Sequence, residues 1–129
     1  MRQIKFKSIL LIGLAVLVLA GCSSQNDPAQ AIEGYINALA AKDKDALVSL
    51  SCNAWEENAL LELDSLTGVT AEVQDLSCEV TGADGEDNLV TCTGKLVLNY
   101  NGELQDLDLS GRTLIAHQED GEWRACGYQ

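Results

Sequence analysis

Hydrophobic periodicity changes once along this chain, at Gly68, and that change confines the fold. Before it, Ile32, Tyr35, Ile36 and Leu39 recur at helical spacing and predict an amphipathic helix to about Ala41. Asp27-Pro28-Ala29-Gln30 supplies its start: an acidic N-cap, proline in the first turn, and glutamine three residues on. Lys42-Asp43-Lys44-Asp45 interrupts the pattern, and Ala46–Leu50 reads as a short second helix. Asn53 and Glu56 then offer another cap-and-glutamate pair. Trp55, Ala59, Leu63 and Leu66 follow on one face, with Gly68 placed as the stop. Beyond it, Val69–Thr81, Asn88–Asn99, Glu103–Leu109 and Arg112–Gln118 are rich in Val, Leu and Thr. Gly82–Gly85, Asn101-Gly102 and Ser110-Gly111 divide them, and Asp120-Gly121 leads into a last strand, Glu122–Tyr128. Gly94 interrupts the shared face of Val90, Cys92, Leu96, Leu98 and Tyr100 and marks a bend. Helices first and antiparallel strands after is the α+β class: one curved sheet with the helices on one face. There is no internal repeat and no linker long enough for two domains, so residues 27–129 are expected to form one domain.

The first 21 residues have a different character. Arg2, Lys5 and Lys7 precede a continuous apolar run of twelve residues, Ile9–Ala20. That run is short for a spanning helix, which needs about 20 apolar residues, and has the order of a secretory signal. Leu19-Ala20-Gly21-Cys22 resembles the bacterial lipobox. The resemblance implies that residues 1–21 are a lipoprotein signal peptide and that Cys22 is lipidated, so that a lipid anchor joins the protein to a membrane. The expected address is the outer face of the cell membrane, or the outer membrane where the source has one. Residues 22–26 then form the lipidated end and a short tether. Residues 22–129 hold five basic and twenty acidic side chains, a formal charge of −15. So acidic a body excludes nucleic acid as a partner, because phosphates need a Lys/Arg face.

Without Cys22 four cysteines remain: Cys52, Cys78, Cys92 and Cys126. An even count in a small exported domain reads as two disulfides. Zinc fits poorly, since no pair has C-x₂₋₄-C spacing and His117 is the single histidine; no metal or cofactor is expected. Four cysteines allow three connectivities. A hairpin of 71–81 with 88–98, centred near Gly85, would set Cys78 opposite Cys92 and leave Cys52 for Cys126.

Ala31-Ile32-Glu-Gly-Tyr35-Ile36-Asn-Ala38-Leu39, Lys42-Asp43-Lys-Asp45-Ala46-Leu47-Val-Ser-Leu50 and the closing Asp120-Gly-Glu-Trp123-Arg124-Ala-Cys-Gly-Tyr resemble nuclear-transport-factor-2-like domains. These are also described as SnoaL-like or cystatin-like. The resemblance implies a cone-shaped α+β fold, and among exported members it extends to lipoproteins of unknown function. Enzymes of that superfamily run acid–base chemistry in the cone, but their catalytic residues do not match this sequence position by position. Tyr35, Trp55 and His117 are the candidate pocket residues, each with a plainer reading as core or edge-strand side chains. Asp84, Glu86, Asp87 and Asn88 cluster at a turn without the EF-hand order and read as solvated. The leading expectation is a non-catalytic, membrane-anchored domain that binds a small molecule or an envelope protein. The alternatives are a small isomerase- or hydratase-type enzyme and an accessory subunit of an envelope complex; family resemblance also implies a homodimer through the sheet. An open pocket holding a carboxylate of raised pKa would favour the enzyme, and a collapsed cone with an exposed apolar patch would favour a partner.

Overall fold

The computed structural model describes residues 27–129; the expected signal peptide, Cys22 and the tether to residue 26 lie outside the described residues. Three helices, α1 (Pro28–Ala41), α2 (Lys44–Ser49) and α3 (Glu56–Ser65), precede five strands. These are β1 (Thr70–Asp84), β2 (Asp87–Tyr100), β3 (Glu103–Asp108), β4 (Thr113–Glu119) and β5 (Glu122–Tyr128). The helices pack against one curved antiparallel sheet, the α+β cone. Among the described residues, the sheet, its helices and the core form one unit.

Local chemistry explains the helix ends. Asp27 accepts hydrogen bonds from the Ala29 and Gln30 amides at 2.8 and 3.4 Å, and Asp43 caps α2 through the Ala46 amide at 3.1 Å, satisfying donors that a helix start leaves free. The third helix departs from expectation. Its N-cap is Trp55, without a side-chain hydrogen bond, because the chain before it is drawn onto the sheet. Ser51 bridges Ala125 in parallel, the Cys52 amide donates to the Ala125 carbonyl at 2.8 Å, and the Ala125 amide donates to the Leu50 carbonyl at 2.8 Å. Asn53 is therefore not a cap; its amide donates to the Glu119 carboxylate, 3.1 Å from each oxygen.

Strand β2 organises the sheet. One side pairs with β1 along its length. On the other, residues 88–91 pair with β4 and residues 95–100 with β3, while β5 continues the sheet beyond β4. Gly94 stands at the changeover. The β1–β2 turn is the two residues Gly85 and Glu86, with Asp84 facing Asp87, a register that would set Glu79 against Cys92. A bulge at Thr81 shifts the pairing by one residue, and Cys78 faces Cys92. Disulfides join Cys78 to Cys92 and Cys52 to Cys126, and two bridges in a domain of this size belong to oxidising surroundings.

The core lies between the helices and the sheet. Ile32, Tyr35 and Leu47 from the helices, and Val90, Cys92 and Ala116 from the strands, are fully buried. Each large apolar side chain among them contributes about 1.5–3 kcal/mol. Glu33 on α1 also reaches across to β1, where it accepts the Cys78 amide at 2.8 Å.

Candidate functional site

Helix α3 brings Ala59, Glu62 and Leu66 round at intervals of three and four, so Glu62 falls on the sheet-facing side. Beneath it is a cavity of about 340 Å³. Nine of its thirteen lining side chains are aliphatic, among them Ile36 and Leu39 from α1, Leu96 and Leu98 from β2, and Leu107 from β3. The other four, Glu62, Ser65, Arg112 and Tyr128, are polar. They form one group rather than a scatter. Tyr128 donates its hydroxyl to Glu62 Oε2 at 3.3 Å, the Arg112 guanidinium stands 5.7 Å from the Tyr128 ring centre, and Ser65 bonds back to the Glu62 carbonyl at 2.6 Å.

A second layer holds this group in place. Tyr35, fully buried, donates its hydroxyl to Glu62 Oε2 at 2.8 Å and accepts the Trp55 indole N–H at 3.1 Å. The Trp55 ring meets that of Tyr128 edge-on, with centres 5.8 Å apart. It also lies over Gly127, whose φ is +117° and where an added Cβ would stand 3.3 Å from the indole. Glu62 Oε2 thus accepts two phenolic hydrogen bonds, while Oε1 has no protein partner and is not sealed from solvent.

Burial pushes the Glu62 carboxyl above the usual glutamate range, although the Tyr35 and Tyr128 hydrogen bonds and the Arg112 charge pull the other way. Burial likewise drives the Tyr35 hydroxyl well above an ordinary phenol. The Trp55 hydrogen bond opposes this, and the Glu62 carboxylate reinforces it. Tyr128 is raised in the same direction, by burial first and by Glu62 second. Both phenols therefore stay protonated and serve as donors. Glu62 is the acidic member of the group, and its carboxyl holds a proton more tightly than an exposed glutamate does.

Of the three candidate pocket residues, the structure brings two together. Tyr35 and Trp55 stand behind the cavity wall as the support of Glu62. His117 does not join them: its Nδ1 lies 2.6 Å from Asp87 Oδ1, at the end of the sheet near the β1–β2 turn. Alternation along β4 accounts for this, because Leu114 and Ala116 are buried and His117 points to the opposite face. Glu62 and Arg112 were not among the candidates. The signal for Glu62 was its place in the helical stripe of Ala59 and Leu66; Arg112 gave none beyond being one of five basic residues in 27–129.

No protein-family profile matches the sequence, and no curated protein does either. Solved structures do. A SEC-C motif-containing protein from Rhodopseudomonas palustris superposes with a TM-score of 0.53 at 14% identity, over 81% of this chain and 78% of that one. A candidate polyketide cyclase from Pseudomonas putida gives 0.52 at 14% identity, over 79% and 90%. A nuclear-transport-factor-2-like protein of unknown function from Cytophaga hutchinsonii gives 0.39 at 13% identity, over 78% and 88%. At such identities the first two likenesses establish a shared fold and nothing finer.

The environment of Glu62 has a consequence for stability. Its carboxyl binds a proton more tightly in the folded chain than in the unfolded one. The associated stability is therefore whole below the ordinary glutamate pKa and declines as pH rises through the folded value. Glu62→Gln cannot ionise and should lose that decline. Urea unfolding between about pH 4 and about pH 7 should show the wild type losing stability relative to the variant as pH rises. A constant difference across that range would mean that Glu62 is solvated like a surface acid.

Proposed function

We propose that this chain is an exported, membrane-anchored domain whose cone takes up a small, mainly apolar molecule, with Glu62 meeting its polar end. The observation that carries this reading is a leucine-walled cavity of about 340 Å³ with one hydrogen-bonded carboxyl in its wall. That volume is within the range of small-molecule sites, which combine apolar walls with a few convergent polar groups. Export is supported by the two disulfides. The anchor is supported by the basic, apolar and Leu19–Cys22 sequence at the N-terminus.

Native mass spectrometry of residues 23–129, purified from their own host, tests the binding reading. A co-purifying small molecule that is lost on mild denaturation is expected. A bare polypeptide that also fails to take up apolar fluorescent probes would count against it. The anchor has its own test: labelling with radioactive fatty acid should vanish in Cys22→Ala. Undiminished labelling would remove it.

One observation favours a second reading, a small acid–base enzyme. Glu62 has a raised proton affinity and an oxygen free of protein partners, and two phenols hold its other oxygen in a fixed position. Those are the requirements of a general base in an apolar pocket. In that case Glu62→Gln would keep ligand affinity while abolishing turnover, whereas in a simple binder its effect would fall on affinity.

A further inference from the structure

The polar part of the cavity wall also indicates what kind of molecule belongs there. This step rests on the ligand-binding reading above and deepens it. We propose that the cavity takes an apolar monocarboxylate, its hydrocarbon body among the leucines and its carboxylate at the rim between Arg112 and Glu62.

The argument begins with Arg112. Residues 27–129 contain five basic side chains, two of them in ion pairs and two outside the cavity lining. Lys95 pairs with Asp106 at 2.6 Å. Arg124 pairs with Glu119 and Glu122 at 3.8 and 3.4 Å. Lys42 and Lys44 lie at the α1–α2 junction. Arg112 alone lines the cavity, and it makes no ion pair with any carboxylate among the described residues. Its charge acts on Glu62 and its guanidinium stands over the Tyr128 ring, but no carboxylate closes on it as an ion pair, so an anion entering the apolar cavity would meet it. Its planar fork suits a carboxylate in two-point contact.

Glu62 fits the same head group. Burial raises the proton affinity of Glu62, and a ligand carboxylate beside it would raise it further, so that an O–H rather than a second negative charge can meet the ligand. An amine ligand would gain less, since it would face the permanent charge of Arg112. A neutral alcohol would fill the apolar space but leave Arg112 unanswered. Size is set by the cavity: about 340 Å³ equals roughly eleven waters at about 30 Å³ each, enough for a chain of around ten carbons.

Decanoate and decanol, titrated below their micellar concentrations into residues 23–129 by isothermal calorimetry, separate the outcomes. Wild type should bind decanoate at least tenfold more tightly than decanol. Arg112→Gln should bring decanoate down to the level of decanol while leaving decanol unchanged, and Arg112→Lys should restore part of the preference. Lys95→Gln, whose partner is Asp106, should behave as wild type. Equal binding of acid and alcohol by wild type, or an acid preference that survives Arg112→Gln, overturns the carboxylate assignment alone. Failure of both probes to bind overturns the ligand-binding reading with it.

Discussion

Gly94→Ala should destabilise the domain by about 4 kcal/mol, far more than the same change at any turn glycine. Gly94 has φ +100°, and an added Cβ would lie 2.5 Å from the carbonyl oxygens of both Gln74 and Asp75. These are backbone atoms and cannot swing aside as a side-chain tip would. They belong to a bulge in β1, where the pairing slips between Gln74 and Ser77 and Asp75 itself takes φ +54°. Two residues of β1 therefore crowd onto one residue of β2, and only glycine leaves room. The same residue marks where β2 exchanges β4 for β3 as its partner, and its carbonyl accepts the Leu109 amide at 3.0 Å. Leu96 and Leu98, just beyond this point on β2, line the cavity. Gly121→Ala is the control, since Gly121 has φ +79° with nothing within 4 Å of an added Cβ. It should lose only about 1 kcal/mol, the backbone penalty alone. Equal shifts of the two urea midpoints would show that the sheet absorbs the Gly94 clash by moving.

These two glycines also show how far the chain could be read in advance. Gly94 announced a bend, because it breaks a run of residues on one strand face, and the five strands and first two helices lie close to where periodicity and turn residues place them. The bulges could not be read. A one-residue slip at Thr81 lies on the strand where Glu33 takes the Cys78 amide, and no local sequence pattern encodes it. At the site, Tyr35 was visible on its helix face, yet the role of its hydroxyl depended on Glu62, 27 residues away. A glutamate on an amphipathic helix reads as solvated unless its phase is compared with that of Ala59 and Leu66. His117 was the opposite case. Its chemistry drew attention, while the alternation of Leu114 and Ala116 already placed it on the outer face. Asn53 suits a cap by residue type, but the pairing of its neighbours with Ala125 takes its amide elsewhere.

The two disulfides should differ in what their loss does. Removing Cys52–Cys126 by double alanine substitution should lower stability by about 4 kcal/mol, and removing Cys78–Cys92 by about 3 kcal/mol, because the first closes the longer loop of the unfolded chain. Their sequence separations are 74 and 14. The entropic difference is modest, but the positions of the bridges are not equivalent. Cys78–Cys92 joins neighbouring strands that a long ladder already holds together. Cys52–Cys126 joins the segment entering α3 to the last strand, where one bridge and two amide hydrogen bonds are the backbone ties. Trp55 stands three residues after Cys52, and Tyr128 two after Cys126. The bond thus sets the spacing between the indole that holds Tyr35 and the phenol that holds Glu62. Cys52→Ala with Cys126→Ala should therefore loosen the cavity wall even where the chain remains folded. Measured well below the melting temperature, affinity for an apolar probe should fall for this pair and stay near wild type for Cys78→Ala with Cys92→Ala. If both pairs lose stability but keep equal affinity, the helix-to-strand bridge serves the fold alone, and Glu62 is held by its hydrogen bonds without it.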